Sequence, residues 1–140
     1  MTRHHPAIAN LKETSPSFNF SIECDFKGIK KSIQNHLKFT LARDTRSAKS
    51  RDWWLAICYA VRDRILERFI HTQEAHNKSQ ARRVYYLSLE YLMGRLLKDN
   101  LINCGLYDVV KEVCLDLHLD LEKLVEEEVD MGLGNGGLGR

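Results

Sequence analysis

Hydrophobic positions along the chain fall into a few clear periods. Over residues 22–41, Phe26, Ile29, Ile33, Leu37 and Leu41 recur at intervals of 3, 4, 4 and 4, with Lys27, Lys30, Lys31 and Lys38 between them. That spacing predicts one buried helical face. Residues 42–50 are polar and read as a loop, with Ser50 placed to cap the next helix and Asp52 in its first turn. That helix is predicted from about Arg51 to about Thr72. Trp54, Cys58, Val61, Ile65 and Phe69 share one face, and Trp53, Ile57, Leu66 and Ile70 widen it. So broad an apolar surface predicts two packing neighbours rather than one.

Gln73 to Ala81 is a polar connection. Residues 84–89, Val-Tyr-Tyr-Leu-Ser-Leu, are short, β-branched or aromatic, and apolar on both faces, and predict the chain's one strand. Such a strand belongs inside a covered sheet, so its partner strands are expected outside this chain. A helix is predicted to end at about Cys104, stopped by Gly105. Another carries Leu106, Val110, Val113 and Leu117, and a short one, capped by Asp120, carries Leu121 and Leu124. Residues 1–21 lack periodicity, hold both prolines and read as a mobile tail. About five helices and one strand result.

Composition narrows the class. Forty-four per cent hydrophobic residues in a 140-residue chain exclude wholesale disorder and allow a core. No apolar run has the length of a membrane span, and no apolar segment follows the N-terminal residues as in a secretory signal, so a cytoplasmic protein without a membrane partner is expected. Cys24, Cys58, Cys104 and Cys114 are widely spaced, which argues against a disulfide framework or a zinc site. His71 and His76 are five apart and do not share the i,i+4 face of a metal pair, so no metal is expected. The net charge of +2 hides an asymmetry: residues 1–83 carry a net +8 and residues 84–140 a net −6. No basic–aromatic interleaving accompanies the positive half, so nucleic acid is not an expected partner. The acidic run Glu126–Glu128 reads as a solvated surface, and Glu90 and Arg95 as an ion pair across a turn.

The candidate chemistry is in the last nine residues, Gly-Leu-Gly-Asn-Gly-Gly-Leu-Gly-Arg from Gly132 to Arg140, which hold five of the eight glycines. Glycine lets another group approach the backbone closely, and successive N–H groups can converge on one anion. A phosphate-cradling loop is the reading, in a chain expected to be a fragment that continues into a helix. The stretch matches Gly-x-Gly-x-x-Gly twice, but an acidic segment precedes it instead of an apolar strand, which argues against a dinucleotide fold.

Two stretches together, 83–95 (Arg-Val-Tyr-Tyr-Leu-Ser-Leu-Glu-Tyr-Leu-Met-Gly-Arg) and 132–140, strongly resemble the N-terminal region of the α-glucan phosphorylases. Leu37-x-Phe39-Thr40-Leu41, Arg51-Asp52-Trp53-Trp54 and Val61-Arg62-Asp63 look like that family too. The resemblance covers about residues 26–140. It implies an α/β fold: the mostly helical N-terminal part of a doubly wound, two-domain glycosyltransferase (GT-B type), with residues 22–140 truncated at the glycine-rich loop. It implies phosphorolysis of an α-1,4-glucan by inorganic phosphate to α-D-glucose 1-phosphate with retained configuration. It also implies a pyridoxal 5'-phosphate cofactor whose tethering lysine is absent from this chain, and a homodimer when full length.

By the same resemblance, Asn135, Gly136, Gly137 and Leu138 match the loop that binds the substrate phosphate and the glucosyl group. Leu92 matches a position beside the cofactor. Asp44 and Gln73 match an effector and dimer region, while Phe69 and Asn77 stand where AMP-binding members have Trp and Tyr. Those exchanges reduce the adenine-stacking surface, which is worth roughly 1–3 kcal/mol per base in comparable sites. No catalytic residue is expected within this chain, which alone is expected to be inactive. The alternatives are a truncated, non-catalytic helical interaction module and another sugar transferase of similar architecture.

Overall fold

A computed structural model describes residues 21–87 and 94–129. The expected tail apart from Ser21, the end of the expected strand, Leu92 and the glycine-rich stretch with Asn135, Gly136, Gly137 and Leu138 lie outside the described residues. Five α-helices and a π turn make up the regular structure: α1 (Phe26–Asn35), the π turn (His36–Thr40), α2 (Ser50–Lys78), α3 (Leu97–Asn103), α4 (Tyr107–Asp116) and α5 (Leu121–Val125). The helical periods are confirmed in place. The α/β class is not: among the described residues there is no strand.

The first period builds α1 and the π turn as one element. Asp25 caps it, its carboxylate accepting from the Gly28 N–H at 2.9 Å. Ile29, Ile33 and Leu37 are each 1% exposed, and Phe26 and Leu41 pack at the margin. Gly28 is needed here because a Cβ would lie 2.9 Å from both the Asp25 carboxylate and the Glu23 carbonyl.

Helix α2 differs from expectation at both ends. It begins at Ser50, so Ser50 is its first residue and not its cap; the Asp52 carboxylate instead accepts from the Lys49 N–H at 2.9 Å. It runs on to Lys78, six residues past the expected end, for 29 residues and about 43 Å. Its first half buries Trp53, Ala56, Ile57, Ala60 and Val61 against α1, the π turn, α3 and α5. Beyond Ile65, which still packs against the core, its apolar face is uncovered, with Leu66, Phe69 and Ile70 about half exposed.

The expected strand is not formed at its described residues. Residues 81–87 have no regular structure, and Val84, Tyr85, Tyr86 and Leu87 are 92, 78, 88 and 94% exposed. The physical reason was contained in the pattern itself. A strand apolar on both faces gains its hydrogen bonds and its burial from neighbouring strands, and the described residues form none.

Helices α3, α4 and α5 close the bundle. Leu97, Leu101, Leu106, Val110, Val113, Cys114, Leu121, Leu124 and Val125 join one continuous core with α1 and α2. All four cysteines are free thiols. Burial pushes the Cys58 thiol up to about 12, with the negative charge of Glu128 adding to it, and the Cys114 thiol up to about 11. Neither is a nucleophile at neutral pH.

Candidate functional site

The acidic residues after α5 are where the described bundle bears on the candidate chemistry. The chain leaves the expected strand region at Gly94 and enters α3 through Arg95 and Leu96. There, two acids from the far end of the bundle meet it. The Glu128 carboxylate accepts from the Leu96 N–H at 2.7 Å through one oxygen and from the Leu97 N–H at 2.9 Å through the other. Beside it, the Arg95 guanidinium pairs with the Glu126 carboxylate. The partners are separated by about 30 positions in sequence. The first-turn amides of a helix have no intrahelical acceptor, and a carboxylate is the strongest group to meet them.

The Glu126 side chain is 70% exposed, so the acidic run is solvated as expected while it also bonds across to the start of α3. Glu90, the expected partner of Arg95, lies outside the described residues. Glu122 adds a third link on the same side: its carboxylate accepts from Lys98 Nζ at 2.8 Å and from the Tyr107 hydroxyl. Those bonds hold Glu122 below its ordinary carboxylate range and raise both Lys98 and Tyr107.

Sequence reasoning missed three other constellations. Arg64 is 2% exposed. Its guanidinium donates to the Glu23 carbonyl, to the Ala60 carbonyl at 2.7 Å and to the Ser32 hydroxyl at 3.4 Å. One turn further along α2, the Glu67 carboxylate accepts from the Ser21 N–H at 2.5 Å, the Ser21 hydroxyl at 2.6 Å and the Ile22 N–H at 3.3 Å. Arg64 and Glu67 together pin residues 21–23 along α2. The signal for Arg64 was present: it sits four positions after Ala60 and three after Val61, inside the apolar stripe. Nothing local marks Glu67 or the third pair, His36 Nε2 with Asp63 at 2.9 Å.

Of the expected effector residues, Asp44 and Gln73 are described and are not brought together. Asp44 lies in the exposed loop before α2, where its carboxylate accepts from the Ser47 N–H at 2.7 Å and the Arg46 N–H at 2.8 Å. The Ser47 amide is the main reason its carboxyl sits below the usual range. Gln73 lies half-buried on α2, 23 residues beyond Ser50, or about 35 Å along the axis. Phe69 is 55% exposed, and Asn77 accepts from Arg83 at 2.6 Å.

No group of three or more His, Cys, Asp or Glu side chains suited to a metal occurs among the described residues. Nor do they build a pyridoxal phosphate cradle. The buried side-chain polar atom left without a partner among them is Trp54 Nε1, and one indole donor does not hold a phosphate. No helix among them is long and apolar enough to cross a membrane.

Comparison with known proteins assigns the bundle to a family. The chain is 47% identical over 116 residues to the brain form of glycogen phosphorylase from Bos taurus, which covers 83% of this chain and 14% of that protein. It is 46% identical over 116 residues to the human brain form, and 48% identical over 112 residues to the human liver form, covering 80% of this chain and 13% of that protein. No protein-family model matches it. By this likeness the chain belongs to the glycogen phosphorylases, and it spans 14% of the length of the brain-form relatives it matches.

Proposed function

We propose that the chain serves as part of a longer enzyme that phosphorolyses α-1,4-glucan to α-D-glucose 1-phosphate in glycogen breakdown. The observation that carries this is the 47% identity to a glycogen phosphorylase over 83% of the chain. The longer enzyme is a cytoplasmic, pyridoxal-phosphate-dependent glycosyltransferase of the two-domain GT-B type, acting on glycogen and inorganic phosphate. Leu92 is its residue beside the cofactor. Asn135, Gly136, Gly137 and Leu138 present backbone N–H groups to phosphate and the glucosyl group. This chain contributes phosphate binding and the scaffold beneath it.

Homodimerisation fits two features of the described bundle. Leu66, Phe69 and Ile70 form an uncovered apolar stripe on the second half of α2. Asp44 and Gln73 are also too far apart in one chain to share a ligand, whereas two copies of α2 laid side by side can juxtapose them. The adenine-stacking surface is reduced to Phe69, and Asn77 is engaged by Arg83. AMP is therefore expected to change the activity of the longer enzyme by less than about twofold. Initial rates with and without AMP check this, and strong activation contradicts it.

A non-catalytic helical interaction module remains the second reading, favoured by the continuous core that α1 to α5 form by themselves. One assay separates the two. The longer protein carrying this chain is incubated with glycogen and inorganic phosphate, and glucose 1-phosphate is measured. Phosphate-dependent release supports the enzyme; none supports the module.

A further inference from the structure

We propose that His36 is a positioning residue: by bonding to Asp63 it latches the π turn onto α2 and so sets the exposed loop that carries Asp44. This rests on the proposed homodimer, in which that loop and α2 of two copies meet. Residues 42–47 are all exposed, between Leu41 and Ala48, which pack at the margin of the core. No apolar side chain anchors the loop along its length, so its direction is set at its two ends.

At the first end, one histidine makes most of the connections. His36 Nε2 donates to the Asp63 carboxylate at 2.9 Å, and Nδ1 lies 3.0 Å from Thr40 Oγ1 across the turn. The His36 carbonyl accepts from the Leu41 N–H at 3.0 Å, and the Leu37 carbonyl from the Arg43 N–H at 2.9 Å. The imidazole also lies against Tyr59, with ring centres 5.6 Å apart. Arg62 braces the acceptor: it donates to the other oxygen of Asp63 at 3.2 Å and sits 5.0 Å from the centre of the Tyr59 ring. Wide turns of this kind are rare and concentrate at functional sites. Directly after it, Ala42 takes a φ of 52°, a left-handed conformation that a residue with a Cβ keeps only when its surroundings fix it. At the second end, the Asp52 carboxylate accepts from the Lys49 N–H and reaches Arg43 Nε at 3.8 Å. The loop is therefore ordered before it meets a partner, which lowers the cost of docking.

The test uses the longer protein with His36→Phe, Asp63→Asn, the two together and, as a control, Glu122→Gln. Phenylalanine keeps an aromatic ring beside Tyr59 and loses both side-chain bonds. The control loosens the α3–α5 side and leaves the latch intact. Amide hydrogen exchange is followed by mass spectrometry, and the dimer dissociation constant is measured by analytical ultracentrifugation. His36→Phe is expected to speed exchange across 41–48 and to raise the dissociation constant, each about tenfold, as for one lost hydrogen bond to a charged group. Asp63→Asn keeps an acceptor and should fall between His36→Phe and wild type. The double variant should be no worse than His36→Phe, because both changes act through one bond. Glu122→Gln should lower the melting temperature and leave exchange in 41–48 and the dissociation constant unchanged. Faster exchange confined to 40–41, additive effects in the double variant, or a wild-type dissociation constant for His36→Phe overturns the proposal. If the wild-type protein is a monomer, the homodimer reading fails, and the exchange measurements still decide whether the latch exists.

Discussion

Arg64 shows how one side chain can organise a neighbourhood that its sequence position disguises. A guanidinium taken out of water is tolerated only when its donors are met. Here they are met by carbonyl and hydroxyl oxygens of residues 23, 32 and 60, which fastens the chain entering α1 onto α2. Replacing Arg64 with Met should leave the Glu23 carbonyl without its donor and cost about 1–3 kcal/mol. Arg64→Lys should recover only part of that, because a single ammonium cannot reproduce the fork. Urea unfolding midpoints of the longer protein check the order wild type, Lys, Met. Glu122 gives a pH-dependent counterpart. Its folded pKa is depressed, so its contribution is present above its unfolded value, near 4.3, and is lost as pH falls through the lower folded value. The melting-temperature gap between wild type and Glu122→Gln should be open at pH 7 and should close as pH falls below the unfolded value and through the lower folded one. Lys98 and Tyr107 are raised, so their contributions persist through neutrality and fade only in alkali, as pH rises through their raised folded values.

At the scale of elements, three helices end in the same way, and only one of those ends was legible. After α2, α3 and α4 the chain turns through a left-handed residue, Gln80 (φ 50°), Gly105 (φ 69°) and His118 (φ 58°) respectively. In each, that residue's N–H and the next one fold back onto the last turn. Gly105 donates to Ile102 and Leu106 to Leu101; His118 donates to Leu115 and Leu119 to Cys114; Gln80 donates to Asn77 and Ala81 to His76. This is the Schellman arrangement, for which glycine is the usual residue. Gly105 therefore announced its stop in the sequence. Gln80 and His118 did not, and α2 was expected to end at the first polar run, six residues early. The energetic consequence is opposite at the two kinds of site. Gly105→Ala should destabilise by about 1 kcal/mol, and His118→Gly should relieve strain and stabilise by up to about that amount. Thermal melts of the two variants should move in opposite directions.

On the scale of the whole molecule, apolar periodicity carried the helical layout, because each helix meets its neighbours through one continuous core. What sequence could not carry were contacts set by three-dimensional packing. The strap from Glu126 and Glu128 to residues 95–97 spans about 30 positions and leaves no local trace. The charge asymmetry between the halves of the chain is answered in part by such contacts, as where Lys30 of α1 meets Asp116 of α4 at 2.7 Å. The surfaces that remain uncovered, Leu66, Phe69 and Ile70 on α2 and the run from Val84 to Leu87, are those for which the apolar pattern called for more neighbours than the chain supplies. The site was legible in a different sense. The glycine-rich motif of the candidate site is explicit in sequence, whereas the bonds from Glu126 and Glu128 to the start of α3 are not.

The most direct test of the account is phosphate-dependent glucose 1-phosphate formation from glycogen by the longer protein, wild type against Gly137→Val. The account predicts steady release by the wild-type protein. For the variant it predicts a loss on the order of a hundredfold or more, with an unchanged circular dichroism spectrum, because a side chain at Gly137 intrudes where backbone N–H groups meet phosphate. Comparable rates for the two proteins would contradict it.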